Sequence, residues 1–270
     1  MAKRGLSSDD ARSVRQKGHD DALEIAVLIG LVNDYKNDAV AKKDVIDPSG
    51  DAHSLKSGAK KWQLFLYGLT RFTNDDFFQT MNGIGQLLIK CIESFPPNFH
   101  EYQLNKLDAK EKCRIPMREL AFLFQEKRRV KTFINKSMFN GGEVNYLTIR
   151  HENKYHVFLS KDVVEVFADA VEVTNSKAIA INQVPEQKVI FKYNGRNLAE
   201  LEMRNDSVIH YRQIRFNMLK PRMLDLLFDK IPKTADFSER IVVYGNASKK
   251  FGNWDKKAPS PNSGLAQLGF

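Results

Sequence analysis

The sequence predicts a mixed α/β (α+β) fold: an N-terminal α/β unit, a helical middle and a C-terminal β-rich α+β region. Three observations carry this. Apolar residues recur at helical spacing from Ala22 onward; alternating segments flank turn sequences at 48–51, 151–154 and 194–197; and the texture changes from helical to alternating after Asn140-Gly141-Gly142. The 270 residues suffice for one large domain or two modest ones. With 42% apolar and 28% charged residues, a wholly disordered or fibrous chain is excluded.

Residues 1–20 are polar and read as frayed. Ala22, Ile25, Ala26, Ile29 and Val32 then follow an i, i+3, i+4 pattern, with Asp20 or Asp21 as cap and an end near Asn33 or Asp34. Strands at Ala41–Asp47 and Ala52–Ser57 flank Pro48-Ser49-Gly50-Asp51, where Pro presets φ and Gly relieves strain, so the pair reads as a β-hairpin. In Lys60–Phe72, the spacing of Trp62, Phe65, Leu66, Leu69 and Phe72 favours a helix over a strand. Asp75–Phe95 reads as one helix stopped by Pro96-Pro97, and Met117–Lys136 as another with Pro116 at its first turn. Val144–Arg150 pairs with Tyr155–Ser160, and Lys188–Tyr193 with Leu198–Arg204. A strand at Ile209–Phe216, a helix at Pro221–Lys230 and a strand at Ile241–Tyr244 follow; Asn246–Phe270 reads as an extended basic arm.

No apolar run approaches the ~18 residues of a membrane span, and MAKRGLSSDDARS carries no apolar signal core. Two cysteines, Cys91 and Cys113, cannot build a disulfide framework or a four-ligand zinc site, so the expectation is a reducing cytoplasm. Forty-two Lys and Arg against 33 Asp and Glu give a net charge of +9, which favours a polyanionic partner. Gly-rich phosphate loops, His-x-x-x-His zinc patterns and Gly-x-Ser-x-Gly elbows are missing, which argues against kinase, metalloprotease and hydrolase-elbow chemistry.

One constellation carries chemistry. Glu24 interrupts the apolar helix ALEIAVLIGL, Asp44 lies on the first hairpin strand, and Ser54 and Lys56 alternate on one face of the second. Carboxylates hold the hard ion Mg²⁺ through oxygen, and a lysine beside the scissile phosphate orients water or offsets charge. The stretch DVIDPSGDAHSLKSGAKKWQLFLYG, with Glu24 upstream, resembles the PD-(D/E)xK nuclease superfamily, in particular type II restriction endonucleases. The resemblance covers roughly residues 18–70, and Ser54 stands where the family carries Glu or Asp. Either Ser54 binds the metal through a water, or Asp47 or Asp51 supplies the missing carboxylate.

The resemblance implies a restriction-endonuclease-like core, a central mixed sheet flanked by helices, in residues 1–110. It implies DNA recognition in 111–245, while 246–270 reads from its composition as a basic extended tail. Asp44 and Glu24 would be metal ligands for Mg²⁺, Lys56 would orient water, Ser54 would fill the carboxylate slot, and Gln63 and Tyr67, spaced as in QxxxY, would support the site. Implied partners are double-stranded DNA, a second copy of the chain in a homodimer matching a palindromic target, and a cognate DNA methyltransferase in a bacterial or archaeal host.

Arg204, Asn205, His210, Arg212, Gln213 and Arg215 are residue types that read base edges or hold phosphates, and Lys127 and Arg128 begin a basic helix segment. The alternative for that helix is a solvated face. Glu200 and Glu202 share one strand face and form a second possible metal pair, with no lysine in register; the alternative is a half-buried strand with a polar outer face. A non-catalytic DNA- or RNA-binding protein stands as the other class of function.

Overall fold

A computed structural model describes residues 8–31, 44–81, 83–177, 184–205 and 207–254. In chain order these form α1 (Ser8–Leu28), β1 (Val45–Ile46), β2 (Ala52–Lys56), β3 (Lys61–Tyr67), α2 (Leu69–Thr73), α3 (Asp76–Gln79) and α4 (Ile84–Glu93). Then come α5 (Phe99–Leu104), α6 (Lys106–Leu123), α7 (Lys127–Phe139), β4 (Tyr146–His151), β5 (Lys154–Leu159), α8 (Ser160–Ala170) and β6 (Glu172–Asn175). The remainder are β7 (Lys188–Tyr193), β8 (Arg196–Arg204), β9 (Gln213–Leu219), α9 (Lys220–Lys230), β10 (Lys233–Ser238) and β11 (Ile241–Tyr244).

The mixed α/β character is as the sequence predicts. Two units interleave along the chain: unit 1 comprises Met1–Ser57, Glu143–Asp162 and Pro232–Phe270, and unit 2 comprises Gly58–Gly142 and Val163–Ile231. The sequence-read boundaries at 110 and 245 both fall inside a unit.

Unit 1 is built on a six-stranded sheet of order β1-β2-β4-β5-β11-β10. It is mixed, because β2–β4 and β5–β11 run parallel and the other neighbours antiparallel. The apolar stripe of α1, Ala22, Ile25, Ala26 and Ile29, is buried in one cluster with Val45, Leu55, Tyr146, Tyr155, Val157, Ile241 and Val243. That burial holds a helix whose first half is largely polar. The α1 helix begins at Ser8, earlier than the sequence pattern suggests, and ends at Leu28. Ala247 and Phe251 join the same cluster, so the segment 246–254 packs as a short 3-10 turn and its continuation. The extended arm expected there is corrected to that extent; its remainder lies outside the described residues.

Unit 2 carries a fully antiparallel five-stranded sheet, β3-β9-β8-β7-β6. Phe65, Phe133, Phe191 and Phe216 meet in its core with ring centroids 5.0–6.4 Å apart. The helix expected over Lys60–Phe72 is instead β3 followed by α2. Lys61 and Gln63 are exposed while Trp62 and Leu64 are buried, a strand alternation fixed by pairing with β9 about 150 residues on. The single helix expected over Asp75–Phe95 is broken into α3 and α4. Gly85 lets the two pack: a Cβ there would sit 2.0 Å from the Phe78 carbonyl oxygen. Pro116 lies inside α6 and is buried, and a separate helix, α7, begins at Lys127. The missing Pro116 N–H removes one helical bond, and burial of Cys113, Met117 and Leu120 on the same face compensates. Both hairpins, β4–β5 and β7–β8, form where the turn sequences place them. Helix α8 and strands β6 and β10 have no counterpart in the sequence reading.

Candidate functional site

The β1–β2 hairpin of unit 1 is set by its turn. Asp47 Oδ1 accepts from Ser49 N (2.9 Å), Ser49 Oγ (2.7 Å) and Asp51 N (3.0 Å), and Gly50 takes a φ of +85° that a side chain would strain. The register pairs Val45 with His53 and Ile46 with Ala52. Leu55 points into the α1 core, so its neighbours Ser54 and Lys56 project from the opposite face.

On that face the structure brings Asp44, Ser54 and Lys56 together. Lys56 Nζ donates to Ser54 Oγ (2.8 Å) and to the Leu55 carbonyl (3.2 Å), and lies 3.9 Å from Asp44 Oδ2. Asp44 Oδ2 also accepts from Leu55 N at 2.7 Å, which orients the carboxylate toward β2. The Asp44 side chain is 39% exposed and that of Lys56 23%. Burial pushes the Lys56 pKa below the usual lysine value, and the Asp44 carboxylate only partly opposes this.

The Lys56 ammonium thus sits among a carboxylate, a hydroxyl and a carbonyl oxygen, the donor kinds that a hard cation prefers. These donors fit Mg²⁺ in kind, and Asp44 is the one carboxylate among them. Among the described residues, no group of three or more His, Cys, Asp or Glu is placed to hold a metal ion.

Glu24 is not brought to this group. It lies on α1, across the sheet from Ser54 and Lys56. Its Oε2 accepts from Tyr155 Oη (2.5 Å) and is 3.4 Å from Arg150 Nη2, and its Oε1 is 2.6 Å from Arg240 Nη2. The Tyr155 bond, with Arg240 and Arg150, outweighs burial and holds the Glu24 pKa below the usual carboxylate value. Arg150 also pairs with the buried Asp21. This ionic cluster ties α1 to β4, β5 and the residue before β11, and leaves Asp21 Oδ2 buried without a hydrogen-bond partner among the described residues.

The carboxylates next to the turn do not fill the slot at Ser54 either. Asp47 is buried on the His53 side of the hairpin, with His53 Nε2 3.5 Å from its Oδ2. Burial raises its pKa, but bonds from His53 and Ser49 dominate and lower it. His53 Nδ1 contacts Thr148 Oγ1 at 2.8 Å, and Asp51 Oδ2 accepts from Tyr146 Oη at 3.2 Å. Both carboxylates serve the turn and the α1 face.

Gln63 and Tyr67 lie on β3, in the sheet of unit 2. There Gln63 pairs with Asn217 across the strands, and Tyr67 stacks under Arg71, 5.3 Å from ring centroid to guanidinium carbon. Glu200 and Glu202 are tied up by cations. Lys188 Nζ lies 3.1 Å from Glu200 and 2.5 Å from Glu202, Lys61 pairs with Glu200, and Arg215 pairs with Glu202. The sequence reading found no lysine in register; Lys188 stands directly opposite Glu202 on β7. Local sequence gives no sign of this, because register follows from the hairpin's bulge.

Arg204, Asn205 and Arg215 line one cleft with Lys110, Gln187, Lys188, Glu202 and Met203. His210 and Arg212 belong to the turn before β9: His210 Nδ1 lies 3.2 Å from Gln213 Oε1, and Arg212 has a φ of +61° with its Nε 3.4 Å from the Ile92 carbonyl. Lys127 and Arg128 open α7, where cations face the positive end of the helix dipole. Asp169 on α8 lies 3.9 Å from Lys127 Nζ, and Lys131 one turn on pairs with Glu165.

No family model, curated protein or solved structure matches the chain. No helix among the described residues is long and apolar enough to cross a membrane.

Proposed function

We propose that the chain is a site-specific double-stranded DNA endonuclease of the type II restriction kind, hydrolysing phosphodiester bonds with Mg²⁺. The observation that supports this reading most is the meeting of Asp44, Ser54 and Lys56 on one face of a hairpin, with the ammonium among three oxygens. Asp44 would hold the ion, while Ser54 Oγ and the Leu55 carbonyl hold the Lys56 ammonium. When bound, the ion supplies charge stabilisation at the scissile phosphate and a more acidic water.

The chain's own part follows from its geometry. Leu55 N fixes the Asp44 carboxylate. Lys56 orients the attacking water through Nζ, and its pKa, lowered by burial, makes the neutral amine that can take up the proton the water loses more accessible than in a solvated lysine. Ser54 holds Nζ in place. Glu24 acts at a distance, by fixing α1 against the sheet. A palindromic target would call for a homodimer, and a methyltransferase gene beside this one would be its modification partner.

A second reading is favoured by a specific observation: a hydroxyl fills the usual carboxylate slot and Glu24 is held by two arginines. It makes the chain a DNA-binding protein that does not cut. Incubation of unmethylated plasmid with the protein and Mg²⁺, against EDTA, separates the two. Discrete Mg²⁺-dependent fragments, lost in Lys56→Ala, support the nuclease. Salt-dependent binding without cleavage in Mg²⁺ or Mn²⁺ supports the second reading, and cutting at the wild-type rate by Lys56→Ala removes the assigned site.

A further inference from the structure

The cleft where the start of β7, the end of β8 and the start of β9 meet in unit 2 has a volume of about 220 Å³. Four cationic side chains line it, Lys110, Lys188, Arg204 and Arg215, against one carboxylate, Glu202. Glu202 is itself buried and pairs with both Lys188 and Arg215, so it fixes those cations in the wall and leaves little negative charge for a ligand. Arg215 uses Nε and Nη2 on one Glu202 oxygen, and a guanidinium carries five N–H donors, so its fork retains donors for a second acceptor. Burial lowers the Lys188 pKa, but its bonds to Glu202 and Glu200 prevail and raise it, so the ammonium stays charged through the physiological range. Gln187 is oriented by its own bond to the Lys110 carbonyl (2.9 Å), which places an amide beside the cations.

Such a wall recognises a compact anion with several acceptor oxygens. The volume lies below the roughly 300–1,000 Å³ of whole small-molecule sites, so it suits one group of a larger ligand. Fixed guanidinium and ammonium groups match a phosphate in particular. We propose that this cleft holds a phosphate ester, supplied by the backbone of a bound DNA strand. This rests on the reading of the chain as a DNA-acting protein, yet it involves unit 2 residues alone.

The test uses the full chain in EDTA, where cleavage is off, with fluorescence anisotropy of a labelled duplex over a salt series. Variants are Lys110→Ala with Arg204→Ala, and Arg204→Lys, each checked by circular dichroism for an unchanged fold. Loss of one phosphate contact lowers the slope of log K against log salt by about one and weakens binding to all sequences alike. The double variant is expected to show this, and Arg204→Lys to restore most of the slope. Pyrophosphate and a 5′-mononucleotide form a second arm. A loss in the double variant confined to these small ligands would keep the phosphate site and assign it to free nucleotides. An unchanged slope together with unchanged small-ligand binding overturns the proposal, as does a wild-type chain that binds none of these probes. The anisotropy arm runs without divalent metal, so phosphate binding through the cleft stands or falls independently of whether the plasmid assay shows cutting.

Discussion

Two lysines of this chain, one in each unit, have pKa values shifted in opposite directions. Lys56 in unit 1 is 23% exposed and faces one carboxylate at 3.9 Å; burial dominates and its pKa is lowered. Lys188 in unit 2 is 36% exposed and touches two carboxylates, at 3.1 and 2.5 Å; the ion pairs dominate and its pKa is raised. Lys56 is the more buried and faces a single, more distant carboxylate, whereas Lys188 is less buried and has two close ones, so burial and pairing together set the sign. The consequence is a division of labour. A lysine with a lowered pKa suits proton handling, and one locked between carboxylates suits a permanent positive charge.

The largest effect that would sharpen this contrast is on chemistry. Lys56→Ala is expected to lower plasmid cleavage by roughly 10²–10⁴-fold, the usual contribution of a positioned proton-handling group, whereas Lys188→Ala should leave the Mg²⁺-dependent cutting step at saturating DNA within a few-fold. Comparable losses in single-turnover cutting for the two would erase the distinction.

Next in size is stability. Glu202→Ala leaves the Lys188 and Arg215 charges without their main partner in a half-buried wall, and urea denaturation is expected to show a loss of about 2 kcal/mol. Glu24→Gln should cost less, about 1 kcal/mol, because its side chain is 31% exposed and solvent screens its ion pairs. Its sign with pH is fixed: a carboxylate with a lowered folded pKa stabilises above about 4.5 and loses that contribution as pH falls through the folded value. The wild type should therefore lose stability below that pH more steeply than Glu24→Gln in acid denaturation.

The smallest effect concerns Lys56 itself. Its folded pKa lies below 10.5, so between the two values the unfolded chain binds more protons and stability rises with pH. Lys56→Met should flatten that alkaline rise in thermal melts. A Lys188→Met melt should change in the opposite sense, since a raised pKa contributes stability below 10.5 that is lost as pH climbs through the folded value.

Much of the fold was legible in short patterns. The turns at 48–51, 151–154 and 194–197 each sit between paired strands, and the α1 stripe is buried as its spacing requires. Lys60–Phe72 misled because Trp62, Phe65 and Leu66 satisfy helical spacing while Trp62 and Leu64 satisfy strand spacing, and the deciding partner, β9, is distant in the chain. In the candidate site, Asp44, Ser54 and Lys56 were legible because eleven residues and one turn join the first to the last. The placement of Glu24 was not, since Arg150 and Arg240, which hold it, come from strands and loops more than 120 residues away.

The sequence by itself determined what local rules govern: the hairpin turn, the alternation that puts Ser54 and Lys56 on one face, the amphipathic stripe of α1 and the excess of positive charge. Only the tertiary structure decided which charges meet. It set Glu24 among arginines, laid Lys188 opposite Glu202, and gathered Lys110, Arg204 and Arg215 around one cleft. The reason is physical: backbone preferences act over a few residues, whereas ion pairing and pKa depend on distances of a few ångströms between side chains that only the packed sheet brings together.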